Sequence, residues 1–391
     1  GRDEECDIQL PNKDVSRRHA TLRRNREGSG FTITDLSSHN GTRVNGRTVQ
    51  SAPLRVNDVV RVGGCVFVVS EAPGTFAEVA PGLFGGAALT RALSALRKAA
   101  LSELPIVLEG ETGTGKELVA RAIHTWSARS GKFVALNCAA LPHGLAEAEL
   151  FGYRRGAFTG AERASAGFFR SASAGTLLLD EVSDLPLTVQ AKLLRTLEQK
   201  EVQPLGEALP VPIDVRVVVA GQAPLLEAVK KQQFRADLLA RLSGVTLLLP
   251  PLRERRADIL PLFWRFMAEA RGGQAPELEP ELVERLVMYE WPFNVRELLQ
   301  LARRLAVLQG AERLLAVQHL PREMAQDAAS ASASPTPPVS KARLLDALHA
   351  SEGNVTRAAA ELGISRQRAY RMLEEQAVDL SAFSSKPRPK R

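Results

Sequence analysis

Along residues 1 to about 72, short apolar runs alternate with turn signals: Asn40-Gly41, Asn45-Gly46, Asn57-Asp58 and Gly63-Gly64. Short strands at close, regular spacing predict an all-β sandwich. A Pro- and Gly-containing stretch, Ala72-Pro73-Gly74 to Pro81-Gly82, marks the first boundary. From about 83 to 250, helical patterns alternate with β-rich runs such as Pro105-Ile106-Val107-Leu108, Thr176-Leu177-Leu178-Leu179 and Val215-Arg216-Val217-Val218-Val219. That alternation predicts a parallel sheet covered by helices, an α/β fold. Residues 251–326 read as an all-helical subdomain, the pattern being helical only from Arg253 to about Met324. Residues 327–340 are almost all Ala, Ser, Pro and Thr, a composition that buries no core and predicts a linker. A short all-α module follows over 341–376, then a tail over 377–391.

Composition changes this picture little. Hydrophobic residues make up 45% and charged residues 24% of 391, ordinary for a globular chain of two or three domains. No apolar run approaches the ~20 residues of a membrane span. The start, Gly1-Arg2-Asp3-Glu4-Glu5, is unlike a signal peptide. Cys6, Cys65 and Cys138 lie too far apart for a disulfide framework or a metal site, so a cytoplasmic setting is expected. The net charge of +7 is mildly basic, and its placement says more than its size. Ten basic and six acidic residues follow from Lys341 onward, and the last six residues hold four basic side chains and no acid. By itself such a tail reads as solvated.

The chemistry begins at Gly110-Glu111-Thr112-Gly113-Thr114-Gly115-Lys116-Glu117, placed after an apolar run and before a helix running toward Trp126. Glycines let the backbone wrap phosphates closely, and the amides with the helix N-terminus attract their charge. Lys116 would reach the β and γ phosphates. Glu117 stands where a Ser or Thr would touch magnesium. Further on, Gly175-Thr176-Leu177-Leu178-Leu179-Asp180-Glu181 is an apolar strand ending in two carboxylates, placed at the sheet's C-terminal edge beside the phosphates. Asp180 is read as holding magnesium, directly or through water, and Glu181 as polarising the attacking water. Ala172 and Gly175 join the nucleotide-binding set. ATP and Mg2+ are the expected cofactors.

The segment Glu149-Leu150-Phe151-Gly152-Tyr153-Arg154-Arg155-Gly156-Ala157-Phe158-Thr159-Gly160-Ala161 narrows this further. It closely resembles the AAA+ activators of sigma-54 RNA polymerase, the bacterial enhancer-binding proteins. The resemblance covers about 83 to 320 and implies that Gly156, Ala157, Phe158, Thr159, Gly160 and Ala161 form the exposed loop that contacts the sigma factor. It implies that Asn137, in Phe133-Val134-Ala135-Leu136-Asn137-Cys138-Ala139-Ala140, restrains Glu181. Arg235 and Arg241 would be arginine fingers reaching a neighbouring subunit's ATP, which requires a closed ring, in the family typically a hexamer. Pro250-Pro251-Leu252-Arg253-Glu254-Arg255 marks the turn into the lid, and Arg296 is the lid's nucleotide sensor. Two departures stand out. The sensor strand, usually ending Ala-Thr-Asn, reads Ala220-Gly221-Gln222, and Phe293 stands where the lid motif usually has Gly.

Both ends resemble known modules. Gly1-Arg2, Ser16-Arg17-Arg18-His19, Ser38-His39-Asn40-Gly41-Thr42 and Val44-Asn45-Gly46 resemble a forkhead-associated (FHA) domain, with the first strand expected to be missing. The resemblance implies phosphothreonine binding by Arg2 and Ser16, helped by Arg17, with Asn40 on the peptide backbone and His19 bracing the loop. Residues 341–376 resemble a Fis-type helix-turn-helix, in which Ser365 caps a recognition helix bearing Arg366, Gln367, Arg368, Tyr370 and Arg371. The expected partners are therefore sigma-54 RNA polymerase holoenzyme, upstream promoter DNA bound as a dimer, a phosphothreonine protein or its kinase, and further copies of this chain, with no membrane. A contrasting reading is a DNA-bound phosphopeptide scaffold or repressor whose ATPase has decayed.

Overall fold

A computed structural model of the chain describes residues 1–25, 30–70, 76–310, 312–322, 324–325, 348 and 351. The expected linker, tail and DNA-contacting residues Ser365, Arg366, Gln367, Arg368, Tyr370 and Arg371 lie outside the described residues.

At the N-terminus, seven short strands form two antiparallel sheets: β1 (Ala20–Arg24), β2 (Phe31–Asp35), β3 (Thr42–Val44), β4 (Arg47–Val49), β5 (Ser51–Leu54), β6 (Val59–Val62) and β7 (Cys65–Val68). The orders are β1-β2-β5 and β4-β3-β6-β7. Period-two alternation sets the inward face: in β3, Thr42 and Val44 are buried while Arg43 is exposed. Val15, Ile33, Val44, Val60 and Val62 make the core. A polar knot closes one end, where Ser38 and Thr42 hydroxyls donate to Asp35 at 2.6 and 2.7 Å. Burial pushes the Asp35 carboxyl up, but these hydrogen bonds outweigh it and hold the group below its ordinary range.

The described part of the stretch expected to mark a boundary, from Phe76 on, enters a hairpin, β8 (Ala77–Ala80) with β9 (Leu83–Gly85), turning at Pro81-Gly82. Ala80 and Leu83 are buried in a core shared with the segments Ala87–Ala99, Ile106–Glu109 and Lys116–Trp126, and the Arg265 guanidinium lies 3.5 Å from the Phe84 ring centroid. Turn residues here serve a packed element, which composition alone does not distinguish from a linker.

The central unit then runs α1 (Ala87–Ala99), β10 (Ile106–Glu109), α2 (Lys116–Trp126), β11 (Phe133–Asn137), α3 (Ala146–Phe151), α4 (Gly167–Ser171), β12 (Thr176–Asp180), α5 (Leu187–Gln199), the hairpin β13 (Glu201–Val202) and β14 (Val211–Pro212), β15 (Arg216–Gly221), α6 (Leu225–Lys230), α7 (Ala236–Leu242) and β16 (Val245–Leu248). The five long strands form one parallel sheet in the order β11-β12-β15-β10-β16. Helices cover both faces, so the strands are apolar throughout: Leu177 and Leu179 belong to one core and Leu178 to the other. Each fully buried Leu contributes roughly 1.5–3 kcal/mol.

Beyond it come α8 (Ile259–Ala270), α9 (Pro280–Met288) and α10 (Asn294–Leu308), packed around Phe263, Leu286, Trp291 and Leu298. The purely helical expectation needs one correction: Glu277–Leu278 pairs in parallel with Leu314–Leu315. Two-residue pairs are too short to register as a period.

Arg216 ties the sheet to α1. Its guanidinium donates to the carbonyls of Ala99, Ala100, Ser102 and Leu104 at 2.5–3.3 Å, satisfying the end of that helix. Arg216→Leu is expected to destabilise the chain by about 2–4 kcal/mol. A thermal melt that does not move would contradict this role.

Candidate functional site

The nucleotide loop joins β10 to α2 at the sheet's C-terminal edge. Lys116 is buried, and its Nζ donates to Gly110 O at 2.6 Å and Glu111 O at 3.4 Å. Burial pushes the ammonium below its ordinary value, while Glu181 and Asp180 oppose that and Arg296 adds to it. Loop lysine, both carboxylates and the lid arginine therefore share one electrostatic site. The register agrees: Asp180 pairs with Ala220 on one side and Asn137 on the other. Cys138, buried behind them, has its thiol pushed up to about 12 by burial, with Asp180, Asp184 and Glu181 adding.

Glu181 sits in left-handed backbone, φ 53 and ψ 47. That conformation costs an L-residue roughly 1–2 kcal/mol and aims the side chain off the strand's line. Asn137 stands opposite Asp180 rather than Glu181, and its amide oxygen accepts from Ala139 N–H at 3.0 Å. Glu117 points away from the loop and pairs with Arg121 one turn on, at 2.7 Å. Magnesium thus finds one near carboxylate, Asp180, and no cluster of three ligands among the described residues. Such a donor set fits Mg2+, which takes most of its ligands from phosphates and water.

The altered sensor residues are accommodated. Gln222 is exposed just past the end of β15, beside the loop, where Gly110 N–H donates to Gly221 O at 3.2 Å. A Cβ at Gly221 would meet nothing nearer than 3.4 Å, so glycine is not a steric demand there. Phe293 has φ −110 and an exposed ring, so the glycine expected there is not required either.

Sequence reasoning missed what braces the loop. Arg253 grips Glu111 with both guanidinium nitrogens, at 2.8 and 2.5 Å. Buried Asn294 donates to Glu111 Oε2 at 3.1 Å and Thr112 O at 3.0 Å, and accepts from Leu252 N–H at 2.7 Å. Val295 N–H reaches Gly113 O at 3.0 Å, and Arg255 donates to Thr114 O at 3.3 Å. Gly113 has φ +80, and a Cβ there would lie 2.1 Å from Phe293 O. The Arg253 hydrogen bonds hold Glu111 below the usual carboxylate range.

Two predicted residues do not join this site. Ala172 and Gly175 precede β12 at the sheet's opposite edge; a Cβ on Gly175 would lie 2.1 Å from Lys132 O, so that glycine serves close backbone packing. Strand direction separates Ala172 and Gly175 from the Asp180 end, since a residue before a parallel strand lies on the edge away from the phosphates. Arg235 pairs with Asp237 at 2.7 Å and Arg241 donates to Leu197 O at 3.0 Å; among the described residues neither bonds to the loop of its own chain.

The Gly156–Ala161 loop projects between α3 and α4. Gly156 N–H donates to Ala161 O at 2.9 Å, and Ala161 N–H to Phe158 O at 3.0 Å. Phe158 is half-buried, edge-on to Tyr153 at 5.0 Å, whereas Thr159 and Gly160 are exposed. The turn between β13 and β14 buttresses it: Arg154 N–H donates to Leu205 O at 3.1 Å, and exposed Leu209 stands in the same turn. Pro204, Gly206 and Pro210 suit that turn, and nothing in the sequence places it under the loop.

At the sandwich end, Arg2 N–H donates to Ser16 O at 3.0 Å, His39 N–H to Ser16 Oγ at 3.1 Å and Asn40 Nδ2 to Asp14 O at 2.8 Å. Arg2, Ser16 and Asn40 thereby share one rim, with exposed Arg17 next to Ser16. Fully buried His19 accepts from Ser16 N–H on Nδ1, so its Nε2 hydrogen points to Gly41 O at 3.1 Å.

Glu111→Ala removes the acceptor of both Arg253 and Asn294 and frees the lid that carries Arg296. Affinity for a non-hydrolysable ATP analogue is expected to fall about tenfold, with Glu111→Gln falling less because it keeps an acceptor for Asn294. Equal dissociation constants for the three proteins in calorimetric titration would refute the brace.

Four family profiles match in order along the chain: FHA domain over residues 1–63, Sigma-54 interaction domain over 84–248, AAA+ ATPase lid domain over 253–337, and Bacterial regulatory protein, Fis family, over 337–374. The chain is 40% identical to the regulatory protein AtoC of Escherichia coli (strain K12), over 72% of this chain and 64% of that protein. It is 51% identical to the Sigma54-dependent transcriptional activator SfnR of Pseudomonas putida, over 53% of this chain and 57% of that protein. It is 40% identical to the probable regulatory protein HrpS of Pseudomonas syringae pv. syringae, over 70% of this chain and 90% of that protein. A crystal structure of NtrX from Brucella abortus in complex with ATP superposes with a TM-score of 0.57 at 32% identity, covering 76% of this chain and 69% of that one. The chain thus spans less than two thirds of the length of AtoC and of SfnR. No described helix is long and apolar enough to cross a membrane. On these matches, the chain belongs to the sigma-54-dependent activator family, with a AAA+ core, an FHA domain before it and a Fis-type segment after it.

Proposed function

We propose that this chain is an ATP-driven, cytoplasmic activator of sigma-54 RNA polymerase, held at upstream DNA by its C-terminal segment and regulated through phosphothreonine binding by its FHA domain. The Lys116 loop, the Asp180-Glu181 strand end and Arg296, whose Cβ lies 3.0 Å from where a Cβ on Gly113 would be, meet at one place and carry the reading. Lys116 binds the β and γ phosphates, Glu181 takes the proton of the attacking water, and Asp180 holds Mg2+ directly or through water. That ion screens phosphate charge when bound. Gln222 contacts the γ phosphate and Arg296 reports it to the lid. Asn137 restrains Glu181. Arg235 and Arg241 lack partners in their own chain's loop, which supports their service to the neighbouring subunit of a closed ring, a hexamer by family pattern.

Work leaves the ring through Phe158 and Thr159. The loop closes on itself through short hydrogen bonds yet keeps its tip in solvent, which suits a contact formed on the sigma factor and released again. Ser365, Arg366, Gln367, Arg368, Tyr370 and Arg371 read DNA in a dimer. Arg2 and Ser16 bind the phosphate, Arg17 assists, and Asn40 holds the peptide.

Lys116→Ala is expected to abolish ATP binding. Glu181→Gln is expected to bind ATP but release phosphate about 10²–10⁴-fold more slowly. Normal turnover by Glu181→Gln would refute the assigned base, and no turnover by the native chain would favour a DNA-bound scaffold or repressor with a decayed motor. Thr159→Ala is expected to lose transcription from a sigma-54 promoter in vitro far more than it loses ATP turnover. Full activation by that variant would overturn the loop assignment.

A further inference from the structure

The FHA sandwich meets the lid through ion pairs. Along α9, Leu282 and Leu286 face the lid core, while Glu281, Glu284 and Met288 form the stripe on the other side. Arg61 of β6 donates to Glu284 Oε2 at 3.0 Å and pairs with Glu281; Arg43 of β3 stands 3.8 Å from Glu284. Met288 Cε lies 3.1 Å from where a Cβ on Gly46 would be. Asn57 and the lid turn exchange two further bonds, Asn57 Nδ2 to Glu254 O at 2.5 Å and Arg256 Nη1 to Asn57 O at 3.2 Å. That turn also supplies Arg253 and Arg255 to the nucleotide loop.

A cavity of about 250 Å3 opens in this contact, lined by Asp14, Asn40, Arg43, Arg61, Glu281 and two glycines. Asn40 thus belongs both to the rim read as the phosphopeptide site and to the edge of the lid clamp. Resting on the phosphothreonine reading of that rim, we propose that this cavity takes an acidic side chain flanking the phosphothreonine of the partner. That carboxylate displaces Glu281 from Arg61 and undocks α9 from the FHA domain. The charges favour exchange over simple addition. Arg43 and Arg61 already face Glu281 and Glu284, Asp14 lines the same cavity, and Glu284 Oε1 is buried without a partner, so a further carboxylate is accommodated only if one leaves. Glu281 is the one to leave, because its side chain is 54% exposed and water replaces its bonds at little cost, whereas that of Glu284 is 11% exposed. Linkage then makes peptide binding and lid docking mutually exclusive in proportion.

The test uses the full chain and fluorescein-labelled phosphothreonine peptides, alanine elsewhere, with one Asp walked through the flanking positions. Glu281→Gln with Glu284→Gln removes the competitor. It is expected to bind the best Asp peptide about fivefold or more tighter than the native chain does, while the all-alanine phosphopeptide binds both equally. In the native chain that Asp peptide is also expected to raise amide exchange across Pro280–Met288. Equal affinity of the Asp peptide for both proteins, or unchanged exchange in α9, overturns the proposal. Arg2→Ala separates the failures. If phosphopeptides bind in an Arg2-dependent manner without regard to Asp, only the clamp proposal falls. If no phosphopeptide binds either protein, the phosphothreonine reading falls and the clamp with it.

Discussion

The loop that cradles phosphates is fixed at its midpoint from outside its own strand and helix. Arg253 holds both oxygens of Glu111, and Asn294 bonds the same carboxylate and the next carbonyl while bonding back to Leu252. A glycine-rich loop has little stiffness of its own, because its glycines lose the most backbone freedom on ordering. The brace removes that freedom before nucleotide arrives and fixes the start of α10, two residues before Arg296. Loop shape and the position of Arg296 are therefore one variable. Any motion of the lid is felt at Glu111, and any strain in the loop is felt along α10.

Much of this fold is legible in sequence, for different reasons in different places. The two-faced burial of Leu177, Leu178 and Leu179 makes a near-continuous apolar run that announces a parallel strand. Lys116, Asp180 and Glu181 are legible because each follows a strand, and strand ends in a parallel sheet fall on one edge. The brace is not legible, since Glu111 meets Arg253 and Asn294 across 142 and 183 residues and no period connects them. Ala172 and Gly175 precede β12, so the same rule that places Asp180 beside the phosphates puts them on the other edge. Pro81-Gly82 shows the limit of composition, since the same residues suit a hairpin turn or a linker.

The departures from family pattern become less weighty once placed. Phe293 contributes its carbonyl to the approach on Gly113 and leaves its ring in solvent, so only its backbone takes part in the brace. Gly221 lies where a side chain has room, and its carbonyl, which any residue would supply, holds Gly110. Gln222 is the change that follows β15 at the strand end next to Gly110. Its extra methylene moves an amide, not a charge, and the Lys116, Asp180 and Arg296 field around it stays intact.

Among the described residues, the lid touches the nucleotide loop, the β8–β9 hairpin and the sandwich. It grips the nucleotide loop through Glu111 and Thr114, stacks Arg265 on Phe84 of the hairpin, and meets the sandwich along the Glu281, Glu284 and Met288 stripe. A helix whose one face is core and whose other face is charge has two different strengths of attachment. Leu282 and Leu286 hold α9 to its own subdomain with apolar burial, which no solute competes for. The arginines hold the sandwich with ion pairs, which any well-placed anion competes for. Of the two attachments, the one to the sandwich is therefore the one that a competing anion exchanges without unfolding the lid.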